Sequence, residues 1–195
     1  MSTTVRVATP IQVGTTPVPV GSAIFPVLTV ASVLVQAHDG YDGSDRVVIT
    51  FTTPHGCSNA GTDKVTFWGV GTNTWLNQLT VSTYTVVSTT AISFTSTADS
   101  GFINGADTGS AIVTPVQRFR VVRLEADQFN TGNVFVGDGT VSAGSLSPAT
   151  IGRYAALLSS TGQIAFELAG EGIDICLLWV LASVAAQYVQ VSLVY

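Results

Sequence analysis

Charged residues are scarce in this sequence. They make up 10% of its 195 residues, against roughly 25% in an average soluble domain, and Lys64 is the only lysine. The formal net charge is −5. A surface that neutralises many phosphates needs many cations, so nucleic acid is not expected as a direct partner. A chain with so little charge favours self-association, because much of its surface must be covered by neutral polar groups or by other subunits.

Histidine and cysteine are also rare, and this limits the chemistry that the chain can support. The sequence holds His38, His55, Cys57 and Cys176. His55 and Cys57 lie two residues apart, but no second pair of ligands follows at a spacing that zinc requires. We therefore expect no metal, no cofactor and two unpaired cysteines, since a domain of this size needs no disulfide.

The sequence contains one cluster of acidic residues, in which Asp39, Asp42 and Asp45 follow each other at intervals of three. This spacing does not match the alternating oxygen ligands of an EF-hand loop, and it indicates a solvated turn. The chain also has only three glutamates and lacks a Gly-x-Ser-x-Gly element. An enzyme is therefore not predicted, although a glycan hydrolase stays the weakest alternative.

Long hydrophobic runs are missing. The longest extends from Ile175 to Ala186 and is interrupted by Ser183, which makes it too short to span a bilayer as a helix. No apolar segment typical of a signal peptide follows Met1. We expect no membrane partner.

Valine, threonine and glycine are abundant instead, and their pattern is typical of β-strands. Residues 47–53 alternate at period two, and Asp-Gly and Asn-Gly dipeptides mark tight turns at short intervals. The sequence predicts an all-β, antiparallel sandwich or jelly-roll-like fold, built as one sandwich or as two related β-units. Residues 151–159 are the only helical candidate, and residues 175–181 are predicted to form a strand.

Residues 1–27 are predicted to form an extended arm, followed by a first β-unit at 28–115 and a second at 116–195. Four prolines exclude a helix from the arm, while its apolar residues need a surface to lie on. That surface is either the arm's own body or, as we favour, a neighbouring subunit. The predicted interface residues are Pro10, Ile11, Val13, Pro17, Val18, Pro19, Val20 and Phe25.

A weak internal repeat relates the two predicted units. The segment that begins at Arg46 resembles the segment that begins at Arg120, and an Asn-x-Gly turn follows in each case. The offset stays near 70 residues. This is the pattern of two related β-units, although valine, threonine and glycine are so common here that chance could also produce it.

Aromatic residues near the middle of the first unit have two interpretations. Trp68 and Trp75 flank a stretch rich in Gly, Thr and Asn. Exposed, they and Tyr84 could stack on sugar rings, whereas buried they would close a sandwich core, which we favour. Trp179 lies in an apolar run and is expected to be buried.

Residues 120–141 have the form of a strand, an Asn-x-Gly turn and a Val-x-Val-Gly element, and Leu146-Ser-Pro148 and Ile164-Ala-Phe166 follow. This pattern resembles the small β-modules of virion structural proteins of tailed bacteriophages. The resemblance covers residues 118–168 well and 46–95 loosely. Ala149-Thr150 stands where the family pattern has a glycine and an acid.

The resemblance implies a non-catalytic virion protein, above all a capsid decoration (cement) protein of the phage head. Such a protein is made in the host cytoplasm, binds the lattice of the major capsid protein at the capsid surface, and acts in many copies, often as a homotrimer. Two alternatives remain at this point. One is a carbohydrate-binding module of a tail or fibre appendage, and the other is a shell subunit of single jelly-roll form.

Overall fold

The fold is all-β, and the computed structural model describes residues 5–7, 10–36, 45–58, 63–96, 102–115, 119–137, 156–158 and 166–194. The strands pair antiparallel throughout this part of the chain, and short 3-10 turns are its only helical elements. The predicted fold class is confirmed. The chain divides into two compact units, which are residues 1–25 with 117–195 (unit 1) and residues 26–116 (unit 2).

Unit 1 is a sandwich of two antiparallel sheets. The first sheet has the order β1-β17-β12-β15, with β2 also paired to β17, and the second has the order β14-β13-β16-β3. Its strands are β1 (Val5–Val7), β2 (Ile11–Val13), β3 (Val18–Pro19), β12 (Phe119–Ala126), β13 (Val134–Gly137), β14 (Ala156–Leu158), β15 (Phe166–Ile173), β16 (Trp179–Ala182) and β17 (Gln187–Val194). Two 3-10 turns lie at Val20–Ala23 and Ile175–Leu177.

The core of unit 1 lies between these two sheets. Residues alternate between buried and less buried along β17, where Val189, Val191 and Leu193 point inward. They pack with Val134 and Val180 of the opposite sheet. This alternation is the period of a half-buried strand, and it places one face of each sheet in the core.

Unit 2 consists of a single eight-stranded sheet around its own core. The order is β7-β6-β11-β4-β5-β9-β8, and β10 also pairs with β4. Its strands are β4 (Val27–Gln36), β5 (Asp45–Phe51), β6 (Asp63–Trp68), β7 (Thr80–Val81), β8 (Thr85–Ser88), β9 (Ala91–Ser96), β10 (Gly105–Ala106) and β11 (Ser110–Pro115), and a 3-10 turn lies at Thr74–Leu76.

Strand β4 connects the two halves of this sheet. Its first residues pair with β11, and its later residues pair with β5 after a register shift between Val30 and Ser32. A bulge of this kind bends a strand and increases its twist, which lets one sheet curl around a core. Val47, Phe67 and Ile92 from three strands meet in that core.

Two strand pairings of unit 2 have counterparts in unit 1. Strand β5 pairs with β9 as β12 pairs with β15, and β6 pairs with β11 as β13 pairs with β16. The segments that begin at Arg46 and Arg120, which carry the weak repeat, occupy the corresponding strands β5 and β12.

The N-terminal segment predicted as an arm supplies strands to its own unit. Strands β1 and β2 pair with β17, and β3 pairs with β16. Edge pairing of this kind satisfies backbone groups that an isolated extended arm would leave to water or to another chain. The prolines lie before or at the ends of the short strands, where a missing backbone donor is tolerated.

Two local predictions differ from the structure. Residues 156–158 of the helical candidate form strand β14, because pairing with the buried strand β13 overrides the helix preference of Ala and Leu. Residues 151–155 and 159 lie outside the described residues. The strand predicted for 175–181 begins only at Trp179. Before it, the Leu177 amide donates to the Asp174 carbonyl (3.1 Å) and closes a 3-10 turn.

Candidate functional site

The predicted interface residues divide between the core and the surface of unit 1. Ile11, Val13 and Val20 are buried in its core, and Val18 and Phe25 pack partly buried against it. Pro19 is buried, Pro17 is half-buried and Pro10 is exposed. The apolar side chains of this segment therefore find the surface that they need within their own unit, while contact of the exposed residues with a neighbour stays a prediction.

The aromatic residues that would serve as stacking platforms in the alternative interpretation are buried or partly buried in unit 2. Trp68 is only 9% exposed. Trp75 contacts the ring of Phe102 edge-on, with 5.0 Å between the ring centroids, and its Nε1 donates to Asn73 Oδ1 (3.4 Å). Tyr84 is buried and donates its hydroxyl to the Ser58 carbonyl (3.1 Å). The core interpretation of these residues fits their positions.

His55 has both ring nitrogens engaged by the backbone. Its Nε2 lies 2.8 Å from the Ser88 carbonyl oxygen, and its Nδ1 lies 2.9 Å from the Cys57 amide. Because a carbonyl can only accept and an amide N–H can only donate, this geometry assigns the neutral tautomer with the proton on Nε2. The imidazole therefore holds two segments of backbone together and has no free nitrogen for proton transfer.

The neighbouring thiol is held in its neutral form. Cys57 is a free, half-buried cysteine. Burial raises the pKa of its thiol to about 11, with the Asp63 carboxylate adding to the rise and a hydrogen bond with Tyr84 opposing it. Burial likewise raises the pKa of the Tyr84 hydroxyl. A nucleophilic cysteine needs a lowered pKa, so this pair has the opposite of the required electrostatics.

A pocket of about 400 Å³ opens beside these residues in unit 2. Its walls are mainly apolar, with one carboxylate, and the Asp63 Oδ2 already accepts hydrogen bonds from the Ser58 amide (2.9 Å) and hydroxyl (2.5 Å). The lining residues are Pro26, Leu28, Pro54, His55, Gly56, Asp63 and Val113. The pocket thus offers shape and apolar surface, but its polar groups are committed to the loop that forms it.

Asp107 is the most strongly bound carboxylate of the described residues. Its oxygens accept from the Thr72 amide (3.0 Å), the Thr108 amide (2.7 Å), and both the backbone amide (2.9 Å) and side-chain amide (2.8 Å) of Asn73. Burial by itself would raise the pKa of Asp107, but these hydrogen bonds outweigh it and lower the pKa to about 2. The charged carboxylate therefore fastens two loops of unit 2 together.

Two turns at one end of unit 1 are joined by hydrogen bonds. We call them the paired turns (residues 127–133 and 183–187). The Asn133 amide donates to Ser183 Oγ (2.9 Å), the Ser183 amide donates to the Asn133 carbonyl (2.9 Å), and the Gly132 amide donates to Gln187 Oε1 (2.9 Å). A Cβ at position 132 would collide with Val184 and would lie 2.8 Å from Ser183 Oγ. A larger residue at this position would have to displace these two side chains.

The paired turns also bond to the neighbouring strand β17. The Asn130 side chain donates to the Tyr188 carbonyl (2.8 Å) and accepts from the Tyr188 amide (2.7 Å). Within the first turn, Asp127 Oδ1 accepts from the Phe129 amide (2.8 Å). The Asn-x-Gly element of this turn can be recognised in the sequence. Phe129 lies beside it, and its side chain is 80% exposed. No periodic pattern marks a single exposed aromatic residue in a turn.

No group of three or more His, Cys, Asp or Glu side chains within the described ranges could hold a metal ion. Asp45 lies at the start of β5, whereas His38, Asp39 and Asp42 lie outside the described residues. Cys176 lies in the 3-10 turn before β16. None of the helices in the part of the chain that the structure covers is long and apolar enough to cross a membrane.

Comparison with protein-family models, with curated proteins and with solved structures finds no match to this chain.

Proposed function

We propose that this protein is a non-catalytic structural component of a virion, namely a capsid decoration (cement) protein that binds the assembled head of a tailed bacteriophage as a homo-oligomer. The all-β fold agrees with this role. The resemblance of residues 118–168 to the β-modules of phage virion proteins supports a place in the virion, since such modules occur in head decoration proteins, head fibres and tail appendages. The proposed partners are the lattice of the major capsid protein and further copies of this chain, at the capsid surface.

One observation carries the proposal. The polar side chains best placed for chemistry or for ligand binding are committed to hydrogen bonds with backbone groups of their own and neighbouring segments, as in His55 and Asp107. Large apolar side chains are exposed instead, with Phe129 80% exposed and Ile103 57% exposed. Rigid loops that present apolar surface are typical of protein–protein contact rather than of catalysis.

The enzyme alternative has little support in the residues that would have to carry it. His55 has no nitrogen free to act as a base, and the raised pKa of Cys57 keeps its sulfur protonated. The glycan-binding alternative loses its proposed platforms, because Trp68 and Tyr84 are buried and Trp75 packs against Phe102.

A decoration protein acts by mass action. A ligand that binds the assembled lattice but not the free subunit stabilises the lattice by its binding free energy. A stable contact of this kind buries on the order of 1,600 Å² in total. With 46% hydrophobic residues and 10% charged residues, this chain has the composition to supply such a surface.

Sedimentation with phage heads tests the proposal. The purified protein is mixed with assembled heads that lack decoration protein, and in parallel with unassembled major capsid protein. We expect the protein to pellet with the heads up to a fixed number of copies per head and to show no binding to the unassembled subunit. Equal binding to both forms, or binding to neither, would contradict a decoration role.

A further inference from the structure

The pocket of unit 2 holds a single charged side chain among apolar walls. Its volume of about 400 Å³ lies within the range of protein pockets that bind small organic groups. Pro26, Leu28, Pro54 and Val113 supply the apolar surface, and Asp63 is the one lining residue with a formal charge. The pocket therefore combines apolar contact with one negative charge.

The Asp63 carboxylate is held in one orientation but is not neutralised. The Ser58 amide (2.9 Å) and hydroxyl (2.5 Å) both donate to its Oδ2, and these neutral donors leave the negative charge in place. No lysine or arginine in the described part of the chain forms a salt bridge with Asp63. Lys64 follows it in β6, where successive side chains point to opposite faces of the sheet. The hydrogen bonds of His55 keep its ring neutral, so the pocket lacks a compensating positive charge.

The loop that forms this pocket is fixed before any ligand binds. The His55 amide donates to the Thr89 carbonyl (3.0 Å), and His55 Nε2 donates to the Ser88 carbonyl (2.8 Å). The Cys57 amide donates back to His55 Nδ1 (2.9 Å), and the His55 ring packs edge-on against Phe51 with 6.0 Å between the ring centroids. A preformed pocket reduces the conformational entropy that binding would otherwise cost.

The chemistry of the pocket matches an arginine side chain. A guanidinium group is always charged and is more weakly hydrated than an ammonium group, and the aliphatic stem of arginine can lie along apolar walls. A calcium or magnesium ion fits poorly, because it needs several oxygen ligands and the lining supplies one carboxylate. A single, partly exposed ion pair holds a free cation only weakly. The favoured occupant is therefore a side chain whose other contacts come from the protein that carries it.

We propose that this pocket binds an arginine side chain of a partner protein, with the guanidinium on the Asp63 carboxylate and the stem against the apolar walls. The net charge of −5 favours a basic surface on that partner, since opposite charges steer two proteins together. The inference rests on the proposed function, under which the partner is the capsid lattice, and it adds the chemistry of one contact to that role.

A free probe tests the pocket without any partner. The isotope-labelled full chain is titrated with butylguanidinium chloride at constant ionic strength while its backbone amide NMR signals are recorded, and butanol serves as the uncharged control probe. We expect saturable shifts of the Gly56 and Cys57 amides in the millimolar range with butylguanidinium alone. Asp63→Asn, which keeps an acceptor for Ser58 but removes the charge, should abolish them. A wild type without saturable shifts, or equal shifts in Asp63→Asn, would overturn the site.

Sedimentation with undecorated phage heads tests whether the capsid lattice supplies the arginine. Asp45→Asn is the matched control, because it removes one partly exposed carboxylate of the same unit outside the pocket, and thermal unfolding shows that both variants are folded. We expect Asp63→Asn to weaken the association constant by about tenfold and Asp45→Asn to bind like the wild type. If Asp63→Asn binds heads as tightly as the wild type does, the arginine contact is wrong while the decoration role stands. A wild type that does not bind heads would contradict the proposed function, and the assignment of the arginine to the capsid with it.

Discussion

At the scale of single residues, asparagine side chains replace strand pairing at three places within the described ranges. Asn77, Asn104 and Asn130 each accept from the amide and donate to the carbonyl of one residue on a neighbouring segment. The side-chain amide has the same donor and acceptor as a peptide group, so it satisfies a backbone that no strand reaches. This is one way in which a chain with few charges fixes its loops.

Asp107 fixes a loop by charge instead, and this makes part of the stability dependent on pH. Its folded pKa of about 2 lies below the ordinary value of 3.8. A lowered folded pKa stabilises the protein fully above the unfolded value, and the contribution is lost as the pH falls from there through the folded value. The relevant window is therefore about pH 4 down to pH 2.

We expect Asp107→Asn to lower the free energy of unfolding by roughly 2–3 kcal/mol at pH 7, since several of its hydrogen bonds involve a charged acceptor. Urea denaturation at a series of pH values measures the difference between wild type and variant. The difference should be constant at neutral pH and should shrink as the pH falls below about 4.

Asp45→Asn serves as the control, because Asp45 is a partly exposed carboxylate at the start of β5. A surface change of this kind usually alters stability by less than about 0.5 kcal/mol. A difference for Asp107→Asn that stays the same down to pH 2 would show that the carboxylate charge does not fasten the two loops.

At the scale of elements, the N-terminal strands belong to the core of unit 1. Strand β2 alternates, with Ile11 and Val13 buried and Gln12 exposed. Deletion of residues 1–27 would therefore remove part of a core rather than a free arm. A test of binding by truncation would confuse loss of binding with loss of folding.

Point substitutions on β2 separate these two effects. We expect Val13→Ala to lower the free energy of unfolding by roughly 1.5–3 kcal/mol, because Val13 is fully buried and its truncation leaves a cavity. Gln12→Ala, on the outer face of the same strand, should change it by less than about 0.5 kcal/mol. Chemical denaturation of both variants measures the difference. Equal and small effects would mean that this segment does not pack on its own unit.

The strands also show which features of the fold the sequence predicts. The alternation in residues 47–53 and in β17 marks half-buried strands, because side-chain direction has a period of two and burial follows it. The partner of each strand cannot be predicted in this way, since pairing joins residues that are far apart in the chain. Nothing local in residues 1–25 indicates β16 and β17 as partners, and the sequence alone therefore favours contact of this segment with a neighbouring subunit.

The candidate sites depend even more on contacts between distant segments. The hydrogen bonds of His55 with Ser88, and of Asp107 with Asn73, join residues more than thirty positions apart. The sequence shows only that such residues are rare. Phe129 stands beside its Asn-x-Gly turn, but no local pattern predicts that its side chain is exposed.

At the scale of the whole molecule, the chain combines two β-units that share two corresponding strand pairings. Each unit has its own hydrophobic core. Each of the two units has loops and sheet edges at its surface, and the sequence supplies few charged side chains to solvate them. We propose that association with other copies, and with a shell of repeated subunits, provides that cover.

The mass of the purified wild-type protein in solution, measured by light scattering after size exclusion across a range of concentrations, tests this account most directly. We predict one discrete oligomer, a trimer, that persists on dilution, because a chain with this little charge should cover part of its surface with further copies of itself. The mass of a single chain at every concentration would contradict self-association as the reason for the scarcity of charge.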